Sequence, residues 1–427
     1  MGTRVREFLR DGGVGREVLA GLLNALTLLP GVIVVPSMLF QAGMDFTGAY
    51  TSLLLVSMAG TVLVGRMAGS PVVLVPGIAV ASWLVYGEII SCGQSWQAVL
   101  GASFLAAVLG TAFLLSPLRK VFLEAVPAAL RSSLSGALGL MLVFQGLVQG
   151  RLITGSPMDV VMPGNLSDPV AYLSLLGLCI VFALLVNGIP GALAIGTLVT
   201  AIVALLQGFW EFPRAPFLLP EGLDRTVLQM DVSGGLSLPG VVFPLMLVTL
   251  VESLGTTQAL CHAYPERVPQ PSRKLLLCVL GTGMAGALLG SLPPRPAAES
   301  AAGLCAGGRK GWASYGTALF FLPMLFCEPV IREMASFGAI TAPAMVGAGF
   351  LMLSRMKKVS DGDMADAAAS WCLFLLLPLS HDVAVGLGCA LIAHVALKCL
   401  CGKSAEVPRP EACMAAVFFA YFFCLMT

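Results

Sequence analysis

The sequence predicts an all-α polytopic membrane protein of about fourteen transmembrane segments, arranged as a seven-plus-seven inverted repeat. Its 427 residues are 57% hydrophobic and only 11% charged, and the mean hydropathy is +0.91. Soluble domains carry about 25% charged residues, so this composition is typical of a chain embedded in lipid. The net charge of +1 gives no reason to expect nucleic acid or an acidic protein as a partner.

Apolar windows separated by polar or Gly/Pro breaks define the segments. The third and tenth windows are short and interrupted by proline and glycine. A final apolar piece, 412–426, is too short to assign firmly as a span, and an interfacial helix is the alternative. The predicted spans are 15–36, 50–68, 71–90, 97–116, 126–148, 169–187, 189–208, 240–262, 272–291, 294–308, 312–334, 337–354, 364–379 and 381–400.

The distribution of basic residues predicts the orientation. If the N-terminus is cytoplasmic, most arginines and lysines of the loops lie on the inner face, whereas the outer face keeps Arg151, Arg214, Arg225 and Arg332. Cytoplasmic loops carry an excess of Lys and Arg. We therefore expect a multi-pass protein of the cytoplasmic (plasma or inner) membrane with both termini inside and an even number of spans.

The two halves of the chain resemble each other. The stretch from Leu54 to Ser70 aligns with Leu275 to Ser291 at a constant offset, and 192–205 aligns with 384–397. Chance matching of small residues in apolar helices is the alternative, but the matched segments follow the same order in both halves. Because each half has seven spans, the second inserts inverted, which brings the third and tenth segments together at mid-membrane.

Glu299 is a carboxylate at membrane depth, in the tenth segment and just after a run of prolines. Such a charge costs about 3 kcal/mol or more, so it is rare unless it faces a cavity and has a function. A broken helix that carries a buried acid is typical of the substrate site of a secondary transporter, and the free N–H groups at the start of the half-helix can hold a carbonyl or an anionic edge. The alternative is a structural acid paired with Arg295.

Glu252 in the eighth segment is a second acid at membrane depth, and Thr256 follows it on the same helix face. Two carboxylates in one dry site do not both ionise readily, so one is expected to hold a proton near neutral pH and to exchange it on transport. A helix-capping or packing role for Glu252 is the alternative. In the third segment, the stretch 75–80 offers backbone groups. Arg295 has three open roles: neutralising Glu299, binding an anionic substrate, or facing the membrane boundary.

Enzymatic and metal chemistry are not indicated. Most of the twelve cysteines, such as Cys278 and Cys372, sit inside apolar runs, and His262, His381 and His394 lie far apart without ligand spacing. We find no nucleophile–base pair at mid-depth and no hydrolase motif, so an intramembrane enzyme is disfavoured. A non-transporting receptor stays open. No cofactor is expected beyond a coupling ion, H⁺ or Na⁺.

The stretch from Glu299 through Gly311 resembles the tenth-segment signature of the adenine/guanine/hypoxanthine permeases, a branch of the nucleobase:cation symporter superfamily that also holds the xanthine and uracil permeases. The stretches 42–45, 76–77, 341–344 and 412–426 are similar too, and the resemblance covers nearly the whole chain.

The resemblance implies a proton-coupled nucleobase (purine) importer that works by alternating access of a core domain against a gate domain. The partners that it implies are the membrane lipid and a second copy of the chain, which would form a homodimer through the gate domain. The core domain would comprise 1–125 and 240–336 and the gate domain 126–239 and 337–400, followed by a tail at 401–427. The base would sit between the third and tenth segments, with Glu252 and Glu299 sharing the coupling proton. The substrate-binding residues would be Glu299, Glu252, Thr256, Ala298, Ser300, Pro76, Gly77, Ile78 and Ala79, with Arg295 as a candidate charge partner.

Three departures from the family pattern lie at this site. Glu252 stands where the purine branch usually has Asp, Ala81 replaces a usual Asn, and 295–298 replaces a run that contains Thr and Tyr. Adenine or guanine specificity therefore does not carry over directly. Arg295 also admits an anionic base, such as xanthine or urate, or an anion transporter of the sulfate-permease type on the same fold.

Overall fold

A computed structural model describes residues 13–116, 127–155, 161–189, 191–305, 307–309, 311–354, 363–380 and 382–426. The predicted first residues of segments five and fourteen, 126 and 381, lie outside these ranges. The first half comprises α1 (Gly13–Gln41), α2 (Phe46–Met67), β1 (Leu74–Pro76), α3 (Ile78–Ser82, continued as a π-helix over Trp83–Ser91), α4 (Trp96–Leu115), α5 (Ala128–Gln149), the hairpin β2 (Ile153–Gly155) and β3 (Val161–Pro163), α6 (Pro169–Val186) and α7 (Ala192–Leu206).

The second half comprises α8 (Val232–Leu236), α9 (Pro239–Ala263), α10 (Arg273–Leu289), β4 (Pro294–Pro296), a 3₁₀ turn (Ala298–Ser300) that leads into α11 (Ala301–Cys305), α12 (Trp312–Met324), α13 (Glu328–Ser336), α14 (Gly338–Ser354), α15 (Met364–Ser380), α16 (Val383–Leu400) and α17 (Arg409–Met426). It follows the same order of segments as the first half, with the additional helices α8, α13 and α17.

Each predicted segment coincides with one helix or one strand–helix unit, except segment eleven, in which α12 continues through a 3₁₀ turn into α13. Within the described ranges, eight helices are long and apolar enough to cross a membrane, and they correspond to segments one, two, four, five, six, eight, eleven and fourteen. Four shorter apolar helices correspond to segments three, seven, twelve and thirteen. Segments nine and ten are α10 and the β4–α11 unit. The predicted fold class is confirmed.

Helix packing follows the inverted repeat. The contact of α1 with α12, segments one and eleven, has its counterpart in the contact of α9 with α4, segments eight and four. The contact of α2 with α12 likewise has its counterpart in that of α10 with α4. In the other group, α5 packs on α14 and α15, and α14 packs on α6 and α7. The domain boundaries stay a prediction.

Segments three and ten begin as strands, where the sequence analysis expected broken helices. Proline cannot continue a helix, and a polar backbone at membrane depth needs a partner inside the protein. The two strands supply that partner by pairing antiparallel, with Leu74 opposite Pro296 and Pro76 opposite Pro294. Just beyond the pair, the N–H of Ala297 donates to the Val73 carbonyl at 2.8 Å. The predicted meeting of segments three and ten is therefore built from main-chain pairing.

Contacts between distant loops agree with the predicted sides of the membrane. Arg225 forms an ion pair with Asp45 at 3.1 Å, and both loops are predicted to be outside. On the other face, the N–H of Arg309 donates to Glu17 at 2.9 Å, and both are predicted to be inside. Which face is cytoplasmic stays a prediction.

The C-terminal piece forms the helix α17, which packs along α16. The buried His394 of α16 lies between Glu411 of α17 and Asp366 of α15. His394 thus holds α17 against the last two segments, as a packing residue with charged partners. Among the described residues, no group of His, Cys, Asp and Glu has the arrangement of a metal site.

Candidate substrate site

Glu252 lies at the junction of segments eight, three and ten. It projects from α9, which contacts β4 and the following 3₁₀ turn. Its side chain is only 4% exposed. One carboxylate oxygen, Oε2, accepts a hydrogen bond from Arg295 Nη1 at 2.8 Å. The other oxygen, Oε1, is buried and has no hydrogen-bond partner in the described structure. A buried acceptor without a partner is available for a ligand.

Arg295 is the partner of Glu252 because of its place on β4. It stands opposite Val75 in the strand pair, and its side chain, 20% exposed, lies across the main chain of Gly77. A Cβ added at Gly77 would come within 1.7 Å of Arg295 Nε, so the guanidinium has room only because residue 77 is glycine. Arg295 thus pairs with Glu252, the acid of segment eight, whereas the sequence had suggested Glu299 as the acid that it neutralises. Binding of an anionic substrate by Arg295 stays a prediction.

Glu299 lies in the 3₁₀ turn at the opening of segment ten. Its side chain is half-buried, and among the described residues its carboxylate has neither an ion pair nor a hydrogen bond. The expected alternative, a structural pair of Glu299 with Arg295, does not form. The N–H groups of Ala298 and Glu299 open the turn, where a helix has no internal acceptors to offer. Glu299, an acid without a described partner, thus lies near the ion pair of Glu252 and Arg295.

Ser300 has a structural role in this arrangement. It is fully buried, and its Oγ accepts a hydrogen bond from the N–H of Val73 at 3.0 Å. Its hydroxyl therefore holds β1 to the start of segment ten. Because the hydroxyl is occupied, the predicted contact of Ser300 with the substrate would be made by its main chain, as for Ala298.

The opening of α3 forms the opposite wall. Pro76, Gly77 and Ala79 are buried and Ile78 is half-buried. The predicted backbone groups of segment three are thus placed across from the turn that carries Glu299, because β1 pairs with β4.

Two buried hydroxyls that follow Glu252 in α9 were not predicted as part of the site. Thr256 is half-buried one turn after Glu252, as predicted, but the hydroxyls of its neighbours Ser253 and Thr257 are buried with no hydrogen-bond partner in the described structure. Three hydroxyl residues close to one acid in an apolar helix are the signal that could have found them.

Asn24 of α1 supports segment ten from behind. Its Oδ1 accepts from the N–H of Gly303 at 2.8 Å, and its Nδ2 donates to Thr317 Oγ1 at 3.2 Å. Nearby, Thr27 Oγ1 lies 3.5 Å from the Glu299 carbonyl oxygen, although its shorter hydrogen bonds go to carbonyls of its own helix. Asn24 is an amide within the apolar first segment, and this is the feature of the sequence that could have predicted its role. These contacts fix the position of the turn that carries Glu299.

A multi-span inverted repeat with acids at the meeting point of two broken segments defines this molecule as a multi-pass membrane transporter. The sequence profile of the Permease family (Xan_ur_permease) matches residues 15–376, and the chain belongs to this family.

Three of the similar proteins match this chain over almost their whole length. The guanine/hypoxanthine permease PbuO of Bacillus subtilis is 30% identical over 426 residues, which cover 96% of this chain and 98% of that protein. The putative permease MJ0326 of Methanocaldococcus jannaschii is 30% identical over 409 residues, covering 94% and 93%. The adenine permease AdeP of Escherichia coli is 26% identical over 423 residues, covering 97% and 94%.

Solved structures share the fold. The transmembrane domain of the cyanobacterial bicarbonate transporter BicA aligns with a TM-score of 0.64 at 16% identity, covering 88% of this chain and 97% of that chain. SLC26A9 aligns with a TM-score of 0.67 at 13% identity, covering 92% and 68%. At these identities the likeness extends to architecture alone.

Proposed function

We propose that this protein is a proton-coupled importer of purine nucleobases in the cytoplasmic membrane, with both termini inside. The observation that carries the proposal is the unpaired Glu299 beside the closed pair of Glu252 and Arg295. That pair has no net charge, so the charge of Glu299 is the one left for a proton to cancel before the site crosses the membrane. The substrate class follows from relatives named as adenine and guanine/hypoxanthine permeases.

Recognition of the base would use both acids. Glu252 Oε1, buried and without a partner, accepts a hydrogen bond from a ring N–H. Glu299 engages a second edge of the base and holds the coupling proton. The N–H groups that open the turn at Ala298 and the backbone of Pro76 to Ala79 complete the contacts, with Thr256 beside them. A site of this kind rejects analogues that lack the matching N–H, because its buried acceptors would then stay unpaired.

Transport would proceed by movement of the core domain against the gate domain. The elements that carry the site, α9 and the β1–β4 pair, contact one another and belong to the predicted core. They would move together past α5 and α14 of the predicted gate, exposing the base to each side in turn.

An inorganic anion of the kind carried on the same fold is the second candidate, and Arg295 is the residue that would favour it. Its guanidinium is already engaged by Glu252 at 2.8 Å, however, and a second carboxylate stands nearby. To bind Arg295, an anion would have to displace Glu252 or lie close to two carboxylates. In a poorly solvated site this repulsion between like charges costs free energy. The geometry therefore supports a base over an anion.

The proposal is tested by thermal unfolding of the purified protein with adenine, guanine, hypoxanthine, xanthine, uracil, urate and sulfate. A ligand at one hundred times its dissociation constant adds about 2.7 kcal/mol to the free energy of unfolding. We expect stabilisation by one or more purines, and uptake of the same purines into proteoliposomes driven by an inward proton gradient. Stabilisation by sulfate alone would overturn the assignment.

Glu299→Gln is the matched variant. It keeps the shape of the side chain but cannot carry the coupling proton, so we expect it to abolish proton-driven uptake while leaving membrane insertion intact. Glu266→Gln, which changes an exposed acid in the loop after α9, is the control and should transport normally. Normal proton-driven uptake by Glu299→Gln would contradict the proposed role.

A further inference from the structure

The ion pair between Glu252 and Arg295 has a consequence for the number of ions that each transport cycle uses. We propose that Arg295 is a built-in cation that takes the place of a coupling ion at Glu252, so that Glu252 binds neither H⁺ nor Na⁺ during the cycle. This inference rests on the proposed function, in which Glu299 carries the one coupling proton.

The first argument is electrostatic. Glu252 is 4% exposed, and a buried carboxylate without a countercharge is costly enough that it takes up a proton or a metal cation. Here the countercharge is a guanidinium 2.8 Å away. A guanidinium does not lose its proton in proteins, unlike an ammonium or an imidazole. Glu252 therefore has a countercharge that does not depend on a bound proton or metal ion.

The second argument concerns where the two charges are attached. A dissolved coupling ion enters from one side of the membrane and leaves on the other, and this net movement is what drives transport. Arg295 is held in β4, which pairs with β1 and contacts α9, the helix of Glu252. Acid and cation thus belong to one packed unit and move together. The cation is never released, so it compensates the charge and contributes no driving force.

The third argument is the fit of the cation to its place. The Arg295 side chain passes over Gly77, where any Cβ would lie within 1.7 Å of Nε. Within the described ranges it bonds to Oε2 of Glu252, and Oε1 has no partner there. Arg295 therefore neutralises Glu252 and leaves Oε1 as an acceptor for the base. A coupling ion bound at Oε2 would have the same two effects.

Counting charges gives an expected number of transported charges per base for each of four proteins. The wild type should move about one positive charge per base, through Glu299. Arg295→Gln leaves Glu252 without compensation and should need a second cation, so that about two charges move. Glu252→Gln leaves Arg295 to compensate Glu299, and about zero charges should move. In the double variant Glu252→Gln/Arg295→Gln the ratio should return to about one.

The measurement is the charge-to-base ratio in proteoliposomes, from the membrane potential that just balances a set gradient of the transported purine. One extra charge per base raises the limiting accumulation about tenfold at a potential of about 60 mV. Arg295→Lys keeps a cation as long as its ammonium stays protonated, so it is the control at neutral pH or below and should give the wild-type ratio there whatever its rate. An unchanged ratio in Arg295→Gln overturns the inference. If that variant does not fold, an unchanged ratio in Glu252→Gln does so.

Failure of the inference can be told apart from failure of the proposed function. Absence of base uptake by the wild type defeats the proposed function. The built-in cation is then tested without substrate. The melting temperature of each protein is compared with and without Na⁺, and at neutral and acidic pH. Arg295→Gln should gain stabilisation from one of these cations, relative to the wild type and to the double variant. Glu299 is common to all three proteins, so its own effect cancels. No such gain would overturn the inference.

Discussion

At the scale of single residues, the site depends on side chains whose roles come from their partners. Glu252 and Glu299 are both acids at membrane depth, yet Glu252 is paired with Arg295, whereas Glu299 has no partner among the described residues. Arg295 reaches its place only because Gly77 has no side chain. Hydropathy and residue type find the acids, but they do not say which of the two is compensated, because that depends on distances across the fold.

The hydrogen bond at Ser300 yields a prediction about stability. Ser300→Ala leaves the buried N–H of Val73 without its acceptor, which should cost about 1–3 kcal/mol of the free energy of unfolding. The loss is measured by thermal or denaturant unfolding in detergent. Ser336→Ala removes an exposed hydroxyl that bonds only within its own helix turn, and it should change stability by less than about 0.5 kcal/mol. Equal effects of the two variants would contradict the structural role.

At the scale of elements, the two broken segments and the glycine positions of their neighbours follow from close backbone approach in lipid. Small residues let helices pack tightly where no hydrophobic effect drives them together. A Cβ at Gly60 of α2 would lie 2.6 Å from Thr282 Cγ2 of α10. Its repeat partner, Gly281 of α10, has nothing within 4 Å of the same added atom. The repeat aligns the two glycines, but only one of them lies at a contact.

These repeat-related glycines form a matched pair for mutation. Gly60→Ala forces a Cβ into a stiff β-branched neighbour and should destabilise the protein by about 1–3 kcal/mol. Gly281→Ala meets open space and should be neutral or stabilising by up to about 1 kcal/mol, because alanine is the better helix former. Unfolding midpoints of the two purified variants test this. Destabilisation of similar size in both would mean that the tight contact at Gly60 is absent.

At the scale of the whole molecule, the fold predicts which surfaces face each side of the membrane. Cys92 follows segment three on the predicted outer face, and Cys401 follows segment fourteen on the predicted inner face; both are exposed and free. A membrane-impermeant maleimide should label Cys92 in intact cells and Cys401 only after permeabilisation. Cys92→Ser and Cys401→Ser identify the labelled positions. The reverse pattern would invert the predicted topology.

The same experiment has an expected pH dependence. Burial, with smaller contributions from the carboxylates of Glu88 and Asp382, raises the pKa of the Cys92 thiol above its ordinary value. Since the thiolate is the reactive form, a raised pKa leaves less of it at neutral pH, and labelling should quicken as the pH rises. Labelling of Cys92 that is already maximal at neutral pH would contradict this environment.

The sequence alone was sufficient for the membrane class, the segment order, the inverted repeat and the two acids, because hydropathy, charge bias and residue spacing are properties read along the chain. It could not determine the strand pairing of segments three and ten, or the hydrogen bond from the N–H of Val73 to the hydroxyl of Ser300. Nor could it assign Arg295 to Glu252, 43 residues away, in preference to Glu299, its near neighbour in sequence. Only the tertiary structure decided these points, because an ion pair or a hydrogen bond forms between atoms that the fold brings within about 3 Å, whatever their separation along the chain.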